Sequence, residues 1–231
     1  MMKKVLYLLN IDDYAPEVTA LTYPLIYRYA DKIGAAVQMI RERRFPEWPV
    51  VYEKLQIHRL SQENRADWHI YLDSDALVHP NTPDWTNFLA MDTVAHNGVD
   101  MAAIRWRYDE YFLRDGRNVG SCNWNTIASK WCLDLWRPLT DLTFEEAVQN
   151  ITPTQDERRS GVIDAAHLID DYTLSRNIAR FGLKVQTLIA LEKRLGIAGQ
   201  GGPGYYHHTY TKSIPDKAAE YRQVLRDWGI G

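Results

Sequence analysis

The sequence has few cysteines, no long apolar run and little excess charge. Cys122 and Cys132 are its two cysteines, and their spacing fits neither a disulfide framework nor a metal-binding cluster. No apolar stretch approaches the ~20 residues that a membrane-spanning helix requires, and the apolar start is expected to be a strand and not a signal peptide. The formal net charge is −3, so a broad nucleic-acid-binding surface is not expected. We therefore expect a cytoplasmic protein without a transmembrane segment.

Hydrophobic residues make up 45% of the 231-residue chain, which is enough for a sizeable core. In the N-terminal third they alternate between dense runs, typical of buried strands, and four-residue spacing, typical of helices. Strands are predicted at 3–10, 35–40 and 68–72. Helices are predicted between them, one with Leu21, Leu25, Tyr29 and Ile33 on its apolar face and one over 51–60. This β-α-β-α-β order favours a parallel sheet that is covered on both faces.

The remainder of the chain has mixed periodicity. Further strands are predicted at 100–106, 123–129 and 184–191, and helices at 130–136, 143–150, 163–181 and from Pro215 onward. The glycine-rich segment 196–204 predicts a loop that could close over a bound substrate. No internal repeat or linker is present. The sequence thus predicts one Rossmann-like α/β domain over residues 1–231, with a mainly parallel central sheet flanked by helices.

The most informative motif is Asp73-Ser74-Asp75, which follows the third predicted strand directly. Strand side chains repeat their direction every second residue, so both carboxylates can lean toward one point. The carboxyl ends of strands in open α/β sheets form the ligand crevice. Two carboxylates placed there repel each other unless a cation or a proton lies between them, and Mg²⁺ and Mn²⁺ prefer oxygen ligands. The alternative is a solvated turn with ordinary helix-capping acids.

These features resemble the metal-dependent glycosyltransferases of the GT-A fold, most of all the glycogenin and galactosyltransferase-like branch. The similar segments are NIDDYAPE (10–17), the helix that carries Lys54, ADWHIYLDSDALV (66–78) with its DxD motif, and SCNWNTIASKW (121–131). Ile127 stands where that branch has glycine, so the last segment matches in part.

The resemblance implies a role for residues along the whole chain. Donor-binding residues would be Asn10, Asp12, Tyr14, Lys54, Asp73, Asn125 and Lys212. The metal ligands would be Asp73, Asp75 and one of His207 and His208, because neighbouring residues of an extended segment point to opposite sides. The ion would be Mn²⁺ or Mg²⁺. Asp170 and Asp171 would be the catalytic acids near the transferred sugar, unless they only stabilise a helix dipole.

The expected function is sugar transfer from a nucleoside-diphosphate sugar, a UDP-sugar above all, to an acceptor. That acceptor could be a glycan, a lipid-linked sugar, a protein or a modified nucleic-acid base, and the stereochemistry is open. The alternatives are a carbohydrate- or nucleotide-sugar-binding module without catalysis, a metal-dependent phosphatase and a nucleotidyltransferase.

Overall fold

The computed structural model describes residues 2–97, 124–153, 155–197, 205–209 and 211–230. The strands in these ranges are β1 Lys4–Leu9, β2 Ala35–Ile40, β3 Trp68–Leu72, β4 Leu77–Val78, β5 Thr93–His96, β6 Asn125–Ser129, β7 Lys184–Thr187 and β8 Tyr206–His207. The helices are α1 Pro16–Ile33, α2 Ile57–Asn64, α3 Phe144–Val148, α4 Gln155–Ser160, α5 Ile169–Phe181, α6 Leu188–Leu195 and α7 Ile214–Asp227. Short 3₁₀ turns cover Val50–Gln56, Trp85–Asn87, Leu133–Trp136 and Ala166–Leu168.

The central sheet has the strand order β2-β1-β3-β6-β5-β7. β1 pairs in parallel with β2 and β3, and β5 pairs in parallel with β7, whereas β6 runs antiparallel to both of its neighbours. The predicted mainly parallel sheet is therefore confirmed. A second, smaller sheet joins β4 to β8 in antiparallel pairing.

Both faces of this sheet are buried, because alternate residues of its strands enter two separate apolar clusters. On β1, Val5 and Tyr7 belong to one cluster, and Leu6 and Leu8 belong to the other. Helices α2 and α5 cover the Tyr7 face, while α1 and α7 cover the opposite face. A strand buried on both sides reads as a continuous apolar run, which explains why β1 and β3 were recognisable in the sequence.

Three predicted boundaries were wrong for local reasons. The strand predicted over 184–191 ends at Thr187, whose hydroxyl accepts a hydrogen bond from the Ala190 N–H at 3.2 Å and begins α6. Such an N-cap satisfies a helix donor that has no partner within the helix. The helix predicted over 163–181 begins at Ile169, after the separate turn Ala166–Leu168. The helix predicted over 130–136 is the short 3₁₀ turn Leu133–Trp136.

Two other predictions fall outside the described ranges. They are the strand at 100–106 and, in the glycine-rich segment, residues 198–204. Among the helices that are described, none is both long enough and apolar enough to cross a membrane.

The buried His69 of β3 generates a pH prediction. Its ring lies 2.9 Å from the Tyr7 hydroxyl and 3.2 Å from the Ala66 carbonyl oxygen, and burial lowers its pKa from 6.5 to about 4. As the pH falls below 6.5, the unfolded chain takes up this proton before the folded protein does, so the free energy of unfolding decreases. One such proton contributes a slope of at most about 1.4 kcal/mol per pH unit.

We expect His69→Gln to reduce this pH dependence, as measured by urea unfolding between about pH 7 and about pH 4.5. His167→Gln, at an exposed position, is the control and should keep the wild-type slope. If the slope in His69→Gln equals that of the wild type, His69 is not the source of this pH dependence.

Candidate functional site

The Asp73-Ser74-Asp75 turn is fixed to the sheet directly after β3. The Ala76 N–H donates to the Asp73 carbonyl oxygen at 3.0 Å. The Ser74 hydroxyl donates to the Leu9 carbonyl oxygen of β1 at 2.6 Å, and the Ser74 carbonyl oxygen accepts a hydrogen bond from Thr22 of α1. The turn therefore has a defined backbone conformation, and its two acidic side chains lie at the carboxyl end of the strand.

The pairing of β4 with β8 brings a histidine to these carboxylates. In that ladder Leu77 pairs with His207, so His208 follows at the end that carries Asp75. Neighbouring residues of an extended chain point to opposite sides. The His207 Nε2 accordingly lies 3.1 Å from Glu220 of α7, and the His208 Nε2 lies 3.2 Å from Asp75 Oδ1.

Asp73, Asp75 and His208 form a group that could hold a metal ion. One ligand atom from each lies within 4.8 Å of the others, and the distance from His208 Nε2 to Asp73 Oδ2 is 3.8 Å. The indole of Trp124 stacks on the His208 ring with centroids 5.0 Å apart, which limits rotation of the imidazole. Two carboxylate oxygens and one imidazole nitrogen suit Mn²⁺ or Mg²⁺ better than a soft metal ion.

The remaining oxygen of each carboxylate is bound by a lysine. Lys54 Nζ lies 3.0 Å from Asp73 Oδ1, and Lys217 Nζ lies 2.6 Å from Asp75 Oδ2. Each carboxylate thus has one oxygen held by the protein and one turned toward His208. Outer partners of this kind orient the ligands in known metal sites. The residues present therefore fit a divalent ion.

Neighbouring groups of opposite charge keep Asp75 and Lys54 charged despite their burial. Burial alone would raise the pKa of Asp75, but His208 and Lys217 outweigh it and hold that pKa well below its usual range. Burial alone would lower the pKa of Lys54, but Asp170, at 2.7 Å, and Asp73 raise it well above its usual value. Asp75 and Lys54 are consequently both charged at neutral pH.

A cavity of about 750 Å³ opens onto this network. Its lining includes apolar side chains from the end of β1, the Val50–Gln56 turn and the start of α7, together with polar and charged side chains. The polar and charged lining residues are Asp12, Tyr14, Lys54, Tyr71, Asp73, Ser74, Asp75, Asp164, His167, His208, Lys212, Ser213 and Lys217. A cavity of this volume with a mixed apolar and polar lining is typical of a small-molecule site.

The turn between β1 and α1 forms one wall of the cavity and has an unusual backbone. Asp12, Asp13 and Ala15 have φ values of 55°, 52° and 49°, a left-handed conformation that non-glycine residues adopt rarely. The Asn10 side chain holds the turn by accepting a hydrogen bond from the Tyr14 N–H at 2.8 Å. Backbone strain of this kind is concentrated at functional sites.

Of the residues predicted from the sequence, seven line the cavity: Asp12, Tyr14, Lys54, Asp73, Asp75, His208 and Lys212. Asn10, Asn125, Asp170, Asp171 and His207 are not among its lining residues. Asn125 is buried at the start of β6 and pairs in register with Leu72. Asp170 is buried against Lys54. The Lys212 side chain is 46% exposed and pairs with Glu220 at 2.9 Å.

Sequence reasoning missed Lys217, Asp164 and His167. A signal for Lys217 was present, because it lies three residues after Ile214 and four before Tyr221, on the apolar face of the amphipathic C-terminal helix. A lysine on such a face indicates a buried acidic partner. Asp164 and His167 are exposed residues of an irregular segment, and nothing in their spacing distinguishes them.

No protein-family model and no curated protein matches the chain. Solved structures do match. One is a glycosyltransferase involved in the glycosylation of the major capsid of PBCV-1, at 11% identity and a TM-score of 0.52, over 96% of this chain and 99% of that one. Another is the bifunctional glycosyltransferase WbbM, at 11% identity and a TM-score of 0.53, over 98% of this chain and 50% of that one. The chain therefore shares its fold with glycosyltransferases.

The position of Lys54 between two carboxylates generates a stability prediction. Its side chain is 8% exposed, so Lys54→Met removes a buried cation from the half-buried Asp73 and from the buried Asp170. Breaking a buried ion pair in this way costs about 3–5 kcal/mol. The measurement is the free energy of unfolding in urea.

Lys130→Met is the matched control, since Lys130 pairs with Asp67 but its side chain is 50% exposed. An exposed pair contributes at most about 1 kcal/mol. Equal losses in the two variants would show that Lys54 does not compensate buried charge.

Proposed function

We propose that the protein is a glycosyltransferase that transfers a sugar from a nucleoside-diphosphate sugar, in the first instance a UDP-sugar, with Mn²⁺ or Mg²⁺ as the cofactor. The observation that carries the proposal is the group formed by Asp73, Asp75 and His208, within 4.8 Å of one another at the end of β3. This group faces a cavity of about 750 Å³ in a fold shared with glycosyltransferases.

Asp73, Asp75 and His208 would hold the ion, through the two carboxylate oxygens turned toward the imidazole and through Nε2. When bound, a divalent ion neutralises the negative charge that develops on a departing diphosphate. Lys54 and Lys217 bind one oxygen of each carboxylate and orient it before the ion arrives. Both lysines line the same cavity and add to its positive potential.

The β1–α1 turn supports binding of the donor nucleoside. Asp12 and Tyr14 line the cavity, and we assign them to the base and the ribose. Asn10 would act indirectly, because its side chain accepts a hydrogen bond from the Tyr14 N–H and so fixes the turn that carries Asp12 and Tyr14. Lys212, paired with Glu220 in this structure, would contact the diphosphate. Asn125 is buried at the start of β6 and pairs with Leu72, the residue before Asp73. It would act on donor binding by positioning the end of β3.

The acidic pair at the start of α5 has two different environments. Asp170 binds Lys54 at 2.7 Å, so we propose that it positions that lysine. Asp171 follows in the first turn of α5 and is partly buried, and we retain it as a proposed acid near the transferred sugar. Asp164 and His167 line the cavity with exposed side chains. Either could accept the proton of an acceptor hydroxyl.

A donor screen separates this proposal from its alternatives. Thermal unfolding with uridine, guanosine, thymidine and cytidine diphosphate sugars and Mn²⁺ identifies the nucleotide, because a ligand of the folded state raises the melting temperature. Product analysis then decides the reaction. Release of nucleoside diphosphate supports transfer, release of inorganic phosphate supports a phosphatase, and binding without turnover supports a non-catalytic module. Acceptor trials would cover glycans, lipid-linked sugars, proteins and modified nucleic-acid bases.

We expect Asp75→Asn to abolish metal-dependent release of nucleoside diphosphate, because it removes one ionic ligand while keeping the side-chain shape. Asp73→Asn should impair turnover at least as severely. The assay measures donor turnover across Mn²⁺ concentrations, with circular dichroism as the folding control. Full activity in Asp75→Asn, or wild-type turnover that a chelator leaves unchanged, would refute the metal-dependent mechanism.

The two neighbouring histidines provide a matched pair. His208→Ala removes a nitrogen that lies 3.2 Å from Asp75, and it should weaken metal-dependent turnover by at least ~10-fold, within the range for removal of a metal-site partner. His207→Ala removes a contact with Glu220 and should have a much smaller effect. Similar losses in both variants would contradict the assignment of His208.

A further inference from the structure

The C-terminal helix α7 holds Asp75 at two points. Lys217 Nζ lies 2.6 Å from Asp75 Oδ2, and the Tyr221 hydroxyl donates a 2.6 Å hydrogen bond to the Asp75 carbonyl oxygen. Lys217 and Tyr221 are one helical turn apart, so they project from the same face of α7. The helix therefore fixes both the side chain and the backbone of this residue.

Burial strengthens the electrostatic interaction between Lys217 and Asp75. The side chains are 6% and 9% exposed, so water screens neither charge effectively. A carboxylate buried to this extent requires a cation or strong hydrogen-bond donors. Lys217 meets that requirement without any metal ion.

The two oxygens of Asp75 face different partners. Oδ2 faces Lys217, and Oδ1 faces His208 Nε2 at 3.2 Å. A divalent ion held by Asp73, Asp75 and His208 would bind on the Oδ1 side. Lys217 can therefore stay in place when an ion binds, and two cations then share one carboxylate.

We propose that Lys217 is the resident counter-cation and positioning residue of the metal site, an inference that rests on the proposed function only for the existence of that site. It places a positive charge beside the buried carboxylate of Asp75 in the ion-free site, and by holding Oδ2 it leaves Oδ1 facing His208 and the ion. It also lowers the affinity for the ion, because its positive charge repels a second cation at the same carboxylate. The ion-free site is thereby ordered, and its affinity for the ion is reduced.

The proposal predicts opposite effects of one substitution on stability and on metal binding. Lys217→Met should lower the melting temperature of the chelator-treated protein, because Asp75 loses its cation. It should also bind Mn²⁺ about 3–10-fold more tightly than the wild type, since the repulsion is removed, and Mn²⁺ should raise its melting temperature further. If Lys217 had a purely structural role, its replacement by methionine would lower the stability and weaken Mn²⁺ binding together.

The experiment uses the full chain and Mn²⁺ alone, without nucleotide, with isothermal titration calorimetry and thermal unfolding as the readouts. Lys217→Arg, which keeps the charge, should remain close to the wild type in both. Lys212→Met is the matched control, because Lys212 lines the same cavity but pairs with Glu220. It should leave Mn²⁺ affinity within about twofold of the wild type, as expected for a screened, half-exposed charge.

Two further variants keep the test decisive. If Lys217→Met does not fold, Lys217→Gln replaces it, since an amide can still donate to Oδ2 without carrying charge. The double variant Asp75→Asn/Lys217→Met should recover stability relative to Lys217→Met and should lose Mn²⁺ binding. Unchanged or weaker Mn²⁺ binding in folded Lys217→Met or Lys217→Gln would overturn the inference alone. A wild type that binds no Mn²⁺ would overturn the metal site, and with it the proposed function.

Discussion

The repulsion between Asp73 and Asp75 is the constraint on which the site depends. Two carboxylates at the end of one buried strand cannot both be ionised in a low-dielectric environment without nearby positive charge. The structure supplies that charge through the ammonium groups of Lys54 and Lys217, which lie 3.0 Å from Asp73 Oδ1 and 2.6 Å from Asp75 Oδ2. The two lysines consequently orient the carboxylates in the protein itself, before any divalent ion binds.

The same constraint explains why distant parts of the chain meet at this point. Lys54 comes from the segment before β3, His208 follows β8, and Lys217 belongs to the C-terminal helix. Residues separated by more than a hundred positions thus depend on one another for charge balance. The small β4–β8 sheet and the contact of α7 with Asp75 bring the C-terminal region to the cavity.

Much of the fold and part of the site could be predicted from the sequence. Continuous apolar runs identified β1, β2 and β3, and the acidic turn after β3 identified the position of the site. Which of His207 and His208 faces Asp75 is decided by the pairing of β4 with β8. No local sequence pattern reveals that pairing. The position of Lys217 on an apolar helix face indicated a buried acidic partner, but no local pattern identified that partner, Asp75, which lies 142 positions away. The start of α6 was missed because the apolar residues after Thr187 suit a strand and a capped helix equally well.

The proposed function requires that Asp73, Asp75 and His208 together bind a divalent ion. Anomalous diffraction from crystals soaked in Mn²⁺ with a nucleoside diphosphate tests it most directly, because the manganese signal locates the ion without reference to activity. We expect one strong peak bonded to Asp73 Oδ2, Asp75 Oδ1 and His208 Nε2, with Lys217 still bound to Asp75 Oδ2. A fully occupied nucleotide with no manganese peak at these three atoms, or a peak elsewhere in the cavity, would contradict it.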